Sequence, residues 1–373
     1  MRIGVPTEIK ANENRIGLVP ESVSELIKSG HQVYVQRGAG KGIQAADESY
    51  EDSGAIILEN GADIYDESEL IIKVKEPQPT ECSMLKSHHT LFTYLHLAAD
   101  AELTNNLIKS DATAIAYETV SADDGSLPLL APMSEVAGRL SIQAGAHALE
   151  SEHGGSGILL GGVAGVRPAQ VVVIGGGVVG TNAIQMALGM EAMVTVLDKS
   201  LSRLRELDMI FGGRLNTIYA TQQALDDYVT TADLVVGAVL VPGATAPRVV
   251  NRDMVKRMKS GSVIVDVAID QGGCIETSHP TTHADPTYIV EGVVHYCVAN
   301  MPGAVPRTST YALNNATLPY VLKLADLGCQ QALTGDPHLL AGLNVYRGKI
   351  TEPNVAGTVG VAYCPSEEAL ATT

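Results

Sequence analysis

The chain has 373 residues, 45% of them hydrophobic and 18% charged, a composition typical of a well-buried globular protein and a length typical of two domains. Its 25 lysines and arginines and 42 aspartates and glutamates give a net charge of −17. So acidic a protein repels phosphate backbones and anionic lipid surfaces, and we expect neither nucleic acid nor a membrane as its partner.

The cysteines and the first residues favour a cytoplasmic protein. Five cysteines are spread along the chain, at Cys82, Cys274, Cys297, Cys329 and Cys364. Their odd number and the lack of a C-x-x-C pair favour reduced thiols over a disulfide framework or a zinc site. The first ten residues, MRIGVPTEIK, lack the basic and then apolar pattern of a signal peptide.

The first third alternates short β-branched runs with amphipathic stretches of helix length. The predicted strands are Arg2–Val5, Gln32–Gln36, Leu70–Lys75, Leu91–Tyr94 and Thr113–Tyr117. Helices are predicted at Pro20–Ser29, which ends before Gly30, and at Asp100–Ser110, with Asp100 as the N-cap. Strands that alternate with helices in this way pair in parallel through crossover connections.

A small-residue helix predicted at Ser134–His153 connects this region to the most informative segment, VVVIGGGVVGTNAIQMALGMEAMVTVLDK. Its pattern Gly175-x-Gly177-x-x-Gly180 lies between an apolar strand and a helix, and the next apolar run ends on Asp198. A glycine turn in this context is typical of a dinucleotide-binding unit. The alternative is a glycine-rich turn that only packs a helix on a sheet.

Further apolar runs follow at Leu234–Val239, Val263–Ile269 and Tyr288–Val294, and a helix is predicted at Tyr311–Leu327. We expect this last helix to return to the first domain, because an inserted domain usually leaves both termini of its host together. The predicted domains are residues 1–130 with 305–373, for the substrate, and residues 131–304, for the dinucleotide.

Ligands of open α/β sheets lie beyond the carboxyl ends of the strands, so titratable residues at those ends are candidates for chemistry. Lys75, His96 and Asp270 each end or follow a predicted strand, and Arg15 lies in a loop after the first one. Each also has a structural interpretation: a lysine at a sheet edge, a satisfied histidine, a paired buried carboxylate or a surface arginine. Together they suit the oxidation of an amino acid or hydroxy acid, with Arg15 and Lys75 on the carboxylate.

Two local patterns add to these candidates. Lys73 and Lys75 are predicted to share one face of a strand, and Asp266 and Asp270 to share one face of another. Asp198 can accept hydrogen bonds from the adenosine ribose and repel a 2′-phosphate, although Lys199, Arg203 and Arg205 weaken that preference for NAD.

The chain resembles the alanine dehydrogenase and transhydrogenase α-subunit family over essentially its full length. The resemblance rests on GVPTEIKANENRIGLVP at 4–20, KVKEP at 73–77, TYLHLA at 93–98, VIGGGVVGTNA, VDVAIDQGGCIETSHPTTH at 265–283 and VANMPGAVPRTSTYALNNATLPY at 298–320. It implies a fold of two α/β domains, in which a doubly wound Rossmann domain for NAD is inserted into a second, Rossmann-like substrate domain. It also implies a homohexamer and the reversible oxidative deamination of L-alanine to pyruvate, ammonia and NADH.

The resemblance also implies roles for single residues. Arg15 and Lys75 match the residues that hold the substrate carboxylate, and His96 and Asp270 match the catalytic pair, with the general base left open between them. The residues assigned to the cofactor are Ser134, Gly175, Gly177, Val178, Val179, Gly180, Asp198, Arg203, Val239, Leu240, Val267, Ala268, Ile269, Asp270, Val298, Asn300 and Met301.

Some positions depart from the family pattern. Ala220 and His279 stand where some relatives have serine and arginine, which puts the affinity for the cofactor in doubt. Some relatives have an acidic residue and a histidine as a magnesium site where this chain has Lys323 and Leu327, and we expect no metal site. The alternative functions are a transhydrogenase α-like component that passes hydride between nucleotides and a non-enzymatic NAD-binding protein. Glycine with glyoxylate is the alternative substrate pair.

Overall fold

The structure is a computed structural model that describes residues 1–239 and 246–371. The chain divides into two compact units. The first consists of Met1–Met133 and Val305–Thr373, and the second of Ser134–Ala304. The second unit is thus inserted, in sequence, between the two segments of the first.

The strands of the described residues are numbered here in chain order. They are β1 Arg2–Val5, β2 Gln32–Gln36, β3 Ile56–Leu58, β4 Leu70–Ile72, β5 Thr90–Thr93, β6 Thr113–Ala116, β7 Gln170–Ile174, β8 Met193–Asp198, β9 Leu215–Tyr219, β10 Leu234–Gly237, β11 Val263–Asp266, β12 Thr287–Val290, β13 Val293–Tyr296, β14 Leu343–Tyr346 and β15 Lys349–Ile350.

The α-helices are numbered in the same way. They are α1 Pro20–Lys28, α2 Asp47–Asp52, α3 Gly61–Glu67, α4 Pro79–Cys82, α5 Ala101–Ser110, α6 Ala131–Ala148, α7 Val178–Gly189, α8 Leu201–Phe211, α9 Gln222–Val229, α10 Arg252–Arg257, α11 Pro306–Leu327, α12 Cys329–Thr334, α13 Pro337–Leu340, α14 Pro353–Val359 and α15 Ser366–Ala371.

The first unit contains an eight-stranded sheet in the order β15-β14-β6-β5-β4-β1-β2-β3. The six strands from β1 to β6 pair in parallel, and β14 and β15 extend the β6 edge in antiparallel fashion. Since β4, β5 and β6 are buried along their whole length, this sheet is covered on both faces, as parallel sheets usually are.

The second unit contains a seven-stranded sheet in the order β12-β13-β11-β10-β7-β8-β9. All its neighbours pair in parallel except β12 and β13. Read from β9 through β7 to β13, the order is that of a doubly wound dinucleotide-binding sheet, and β3 through β1 to β6 repeats it in the first unit. The predicted fold of two α/β domains, one of them a Rossmann domain, is confirmed.

Several predicted elements are confirmed, whereas the strand predicted at Leu70–Lys75 ends at Ile72. Arg2–Val5 and Gln32–Gln36 are strands with the predicted bounds, and Asp100 caps α5 by accepting a hydrogen bond from Leu103 N at 2.9 Å. The apolar run Tyr288–Val294 is the hairpin of β12 and β13. Its two-residue turn, Glu291 and Gly292, has positive φ at both positions, which matches the right-handed twist of the strands.

Candidate functional site

Each sheet reverses its strand order at one place, and ligands of doubly wound folds bind beyond the carboxyl ends of the strands there. In the first unit the reversal lies between the parallel neighbours β1 and β4. The segment after β1 carries Arg15, and the segment after β4 carries Lys75. In the second unit it lies between β7 and β10, where the glycine turn follows β7.

Arg15 is buried, with 3% of its surface exposed, and forms a two-point ion pair with Glu13. Its Nε lies 2.7 Å from Glu13 Oε1 and its Nη2 lies 2.6 Å from Glu13 Oε2, while Nη1 lies 3.1 Å from Met133 Sδ. Burial alone would raise the pKa of Glu13, but the hydrogen bonds and charge of Arg15 lower it to about 2. Sequence reasoning missed Glu13. Its position two residues before Arg15 is the signal that could have found it.

Lys73 lies in a second buried ionic cluster. Strand β4 ends at Ile72, so the prediction that Lys73 and Lys75 share a strand face is wrong. Lys73 Nζ lies 3.1 Å from Glu8 Oε2 and 2.7 Å from Glu81 Oε1, and its side chain has no exposed surface. Burial raises the pKa of Glu8 in spite of this lysine. Glu8 Oε1 also accepts a hydrogen bond from Val74 N at 2.7 Å, which fixes the backbone that leads to Lys75.

Lys75 is half-buried, and its environment disfavours its charge. Burial, and next the charge of Arg15, lower the pKa of the Lys75 ammonium. Within the part of the chain that the structure describes, Lys75 Nζ has no hydrogen bond or ion pair, while its carbonyl accepts a hydrogen bond from Thr93 Oγ1 at 2.9 Å. Because the charge of Glu13 compensates that of Arg15, the Lys75 ammonium supplies the positive charge for an anionic ligand at this end of the sheet.

His96 follows β5 in a strained conformation. Its φ of 52° and ψ of 36° lie in the left-handed region, which a residue other than glycine rarely adopts and which often marks a functional site. Glu118 stabilises it by accepting hydrogen bonds from Leu95 N at 3.1 Å and His96 N at 2.6 Å. The exposed imidazole is parallel to the ring of buried Tyr94, with the centroids 5.8 Å apart, and its Nδ1 lies 3.7 Å from Glu118. Glu118 is 22 residues away in sequence, so no local pattern reveals it.

The glycine turn of the second unit has no room for side chains at two of its three positions. A Cβ at Gly175, whose φ is +99°, would lie 2.7 Å from Ala238 O, and a Cβ at Gly180 would lie 1.9 Å from Gly175 O. At Gly177, by contrast, nothing lies within 4 Å, and the N-terminus of α7 has no side-chain cap. Open N–H groups at a helix N-terminus behind an uncrowded glycine fit the pyrophosphate of a dinucleotide.

Asp198, at the end of β8, is tied to this turn. Its Oδ2 accepts a hydrogen bond from Gly176 N at 2.6 Å and its Oδ1 accepts one from Ser200 N at 2.7 Å. Arg203 Nε donates to Gly176 O at 2.6 Å, and its Nη2 donates to Thr181 Oγ1 at 2.6 Å. Arg203 and Asp198 therefore both stabilise the glycine turn through hydrogen bonds.

The other residues assigned to the cofactor lie mainly at the same edge of the second sheet. Val178 and Val179 begin α7, Val239 follows β10, and Ser134 lies in the first turn of α6. Ile269, Val298 and Met301 have buried side chains, whereas Val267 and Ala268 are half-buried. Leu240 lies outside the described residues.

Asp270 is not on a strand, so the prediction that it shares a strand face with Asp266 is wrong. Strand β11 ends at Asp266, whose buried carboxylate accepts hydrogen bonds from Cys274 N and Ile275 N at 3.0 and 3.2 Å. Asp270 lies beyond it in a 3₁₀ turn and is exposed, and its Oδ1 accepts a hydrogen bond from Asn300 N at 3.1 Å. Its exposed position leaves it accessible to a ligand.

Two buried polar atoms near Asp270 and Asn300 lack partners among the described residues, namely Gln271 Oε1 and His283 Nε2. A Cβ at Gly303 would lie 3.3 Å from His283 Nε2 and 2.8 Å from Asn300 Nδ2, which places His283 beside Asn300. Unsatisfied buried groups are costly, and a polar ligand would relieve that cost. No pattern of residues singled out either of them.

Comparisons with known proteins agree with this geometry. The family described as "Alanine dehydrogenase/PNT, N-terminal domain" matches residues 4–137, and the one described as "Alanine dehydrogenase/PNT, C-terminal domain" matches residues 141–353. An alanine dehydrogenase of Halomonas elongata is 59% identical over 363 residues, which are 97% of this chain and 98% of that protein.

Solved structures give the same result. A structure described as L-alanine dehydrogenase has a TM-score of 0.94 and 52% identity, covering 96% of this chain and 99% of its own. A transhydrogenase of Sinorhizobium meliloti has a TM-score of 0.84 at 24% identity, covering 94% of this chain and 100% of its own, which shows a common fold.

Proposed function

The chain belongs to the alanine dehydrogenase/PNT family and catalyses the NAD-dependent, reversible deamination of L-alanine to pyruvate and ammonia, and we propose that its first unit holds the amino acid while its second holds the dinucleotide. The observation that carries this proposal is that both sheets have the same strand order, each with its own reversal. The charged clamp lies at the first reversal and the open glycine turn at the second. The domains follow the same division, residues 1–130 with 305–373 and residues 131–304.

In the first unit, Arg15 and Lys75 bind the substrate carboxylate. Glu13 neutralises Arg15 and orients its guanidinium, so the clamp presents one net positive charge from Lys75 to one carboxylate. Burial strengthens the attraction between these charges, because the effective dielectric constant is lower inside the protein than in bulk water. Burial and the charge of Arg15 lower the pKa of Lys75, and a bound carboxylate would favour its charged form.

In the second unit, the N-terminus of α7 and Gly177 hold the pyrophosphate, and Asp198 holds the adenosine ribose. The other residues assigned to the cofactor in the sequence line the remaining length of the dinucleotide. When bound, NAD supplies the acceptor for the hydride that leaves the substrate Cα. The protein supplies the orientation, which makes this transfer effectively unimolecular.

His96 and Asp270 move the protons. The reaction removes one proton from the substrate ammonium and another from the water whose oxygen replaces the amino nitrogen on Cα. Imidazole and carboxylate are both suited to such transfers near neutral pH. Glu118 holds the His96 backbone in its strained conformation, and Asn300 N occupies one oxygen of Asp270. Either residue can serve as the base.

The assembly is a homohexamer in the cytoplasm that serves amino-acid catabolism. Its support is the family resemblance, together with the exposed apolar side chains of Leu159, Val163 and Val166 in the loop before β7, which a second copy would cover. All five cysteines are free thiols. Of the helices in residues 1–239 and 246–371, none combines the length and apolar character needed to cross a bilayer. Light scattering should give a single mass that is six times the 39.1 kDa of one chain.

The function is tested by NADH absorbance at 340 nm with alanine, glycine, serine and lysine supplied separately. We expect reduction of NAD with alanine. NADH binding without alanine-dependent reduction would support a binding protein, and transfer from NADH to a second nucleotide would support a transhydrogenase-like component.

The site residues are tested by Lys75→Ala and Asp270→Asn. Lys75→Ala should lower kcat/KM for alanine by about 10–150-fold, which corresponds to about 1.5–3 kcal/mol of lost carboxylate binding, and the exposed-lysine control Lys28→Ala should not. Asp270→Asn should nearly abolish turnover while NADH still binds. A change of less than twofold for Lys75→Ala would contradict the clamp, and full activity of Asp270→Asn would move the proton transfer elsewhere.

A further inference from the structure

Three exposed side chains at the end of α6 converge in a way that the reaction does not explain. His147 lies in the last turn of α6, Glu150 follows the helix, and His153 ends the short 3₁₀ turn Ser151–His153. One nitrogen of each histidine and one carboxylate oxygen all lie within 4.8 Å of one another. Elsewhere in residues 1–239 and 246–371, no group of three such residues meets this criterion.

We propose that His147, Glu150 and His153 bind a divalent transition-metal cation of the zinc type. His147 Nδ1 lies 3.4 Å from Glu150 Oε2, and His153 Nε2 lies 3.7 Å from the same oxygen. Zinc binds imidazole nitrogen and carboxylate oxygen at about 2.0–2.2 Å, so two ligands of a tetrahedral ion are about 3.3–3.5 Å apart. The observed separations are therefore close to the edges of that tetrahedron, and the fourth position falls to water.

The donor set selects the class of ion. Two imidazoles and one carboxylate suit zinc and its first-row neighbours, whereas magnesium and calcium require six or more ligands, chiefly oxygen. Among the described residues the carboxylate of Glu150 has no lysine or arginine partner, and its ion-pair contacts are the two imidazoles. The two rings lie 3.9 Å apart, centroid to centroid, an arrangement that a shared cation stabilises and that two imidazolium charges oppose.

The backbone that carries the three residues is fixed by its own hydrogen bonds. Glu150 N donates to His147 O at 3.2 Å, His153 N donates to Glu150 O at 3.1 Å, and Gly155 N donates to Glu150 O at 3.1 Å. The ligands are therefore presented from an ordered turn, which reduces the entropy lost on binding. The C-terminus of α6 adds a partial negative charge that favours a cation.

This site is separate from the dinucleotide site in the second unit. A Cβ at Gly145 would touch the side chain of Leu234, the first residue of β10, and Ser156 N donates to Gly261 O, just before β11. The cluster thus lies toward the amino ends of the parallel strands, whereas the glycine turn and Asp270 follow carboxyl ends. The expectation from sequence of no metal site rested on Lys323 and Leu327 and did not consider these three residues.

The proposal is tested on the full-length protein after dialysis against EDTA. Calorimetry with ZnCl₂ should give one ion per chain, and CoCl₂ should give the visible absorption band of four-coordinate cobalt. Removing a partner of a metal ligand already costs about 10–100-fold in affinity, so His147→Gln and His153→Gln should each cost at least about tenfold. The control His338→Gln, which changes a half-buried histidine paired with Asp123, should bind as the unaltered chain does.

Circular dichroism and NADH binding identify variants that fail to fold, and Glu150→Gln provides a third variant without a change of histidine. Unchanged zinc affinity in all three site variants would overturn the proposal and place any bound ion elsewhere, for instance on thiols. No saturable binding of zinc or cobalt by the unaltered chain would overturn it as well.

Discussion

The ion pair of Arg15 and Glu13 makes a quantitative prediction for Glu13→Gln, a change that keeps the size of the side chain. The pKa of Glu13 falls from an ordinary 4.5 to about 2 in the folded chain, and each pH unit corresponds to about 1.36 kcal/mol. The carboxylate therefore stabilises the fold by about 3 kcal/mol at pH 7. Solvent does not weaken this figure, because the two side chains are 1% and 2% exposed.

The pH dependence follows from the direction of the shift. Because the folded pKa is the lower one, the stabilisation is present above pH 4.5 and is lost as the pH falls toward 2. About 2 kcal/mol of it should remain at pH 3.5. The free energy of unfolding, measured with urea by circular dichroism, should therefore differ between the two proteins by about 3 kcal/mol at pH 7 and by about 1 kcal/mol less at pH 3.5.

Glu25→Gln is the matched control. Glu25 pairs with Lys28 at 2.8 Å, a similar distance, but both side chains are more than half exposed. Such surface pairs contribute at most about 1 kcal/mol. The reasoning would be refuted if Glu13→Gln and Glu25→Gln cost the same at pH 7, or if the cost of Glu13→Gln did not change with pH.

Three further predictions concern single positions. Lys73→Met should lower the free energy of unfolding by about 3–5 kcal/mol because it leaves two buried carboxylates, whereas Lys28→Met should cost less than about 1 kcal/mol; equal costs would mean that the buried cluster is not ionised. Gly180→Ala should introduce about 1–3 kcal/mol of strain and weaken NADH binding seen by fluorescence, while Gly189→Ala, which has open space, should not. Asp198→Gly should raise kcat/KM with NADP relative to NAD, and an unchanged ratio would assign the preference to other residues.

The sequence predicted what local patterns determine. The alternation of apolar residues gave the bounds of β1 and β2, and the glycine spacing with its terminal acid gave the turn between β7 and α7. Strand order is different in kind, since β1 pairs with β4 across more than sixty residues and no local pattern records that pairing.

The same distinction applies to the site. Arg15, Lys75, His96 and Asp270 were chosen because polar residues at strand ends are informative, yet the groups that hold them were missed. Glu8 contacts Lys73 across 65 residues of sequence, and Glu118 contacts His96 across 22. The expected alternation of side chains also gave a wrong prediction at Lys73. Strand β4 ends at Ile72, one residue before it, and the Lys73 side chain is buried.

The antiparallel edge of the first sheet has a consequence for synthesis on the ribosome. Strand β6 ends at Ala116, but its neighbour β14 begins only at Leu343, after the whole second unit has been made. At about 5–20 residues per second, translation leaves that edge without its native neighbour for about 10–45 seconds. An open edge is a template for pairing with other nascent chains, so aggregation during expression should depend on how fast the ribosome reaches the last thirty residues.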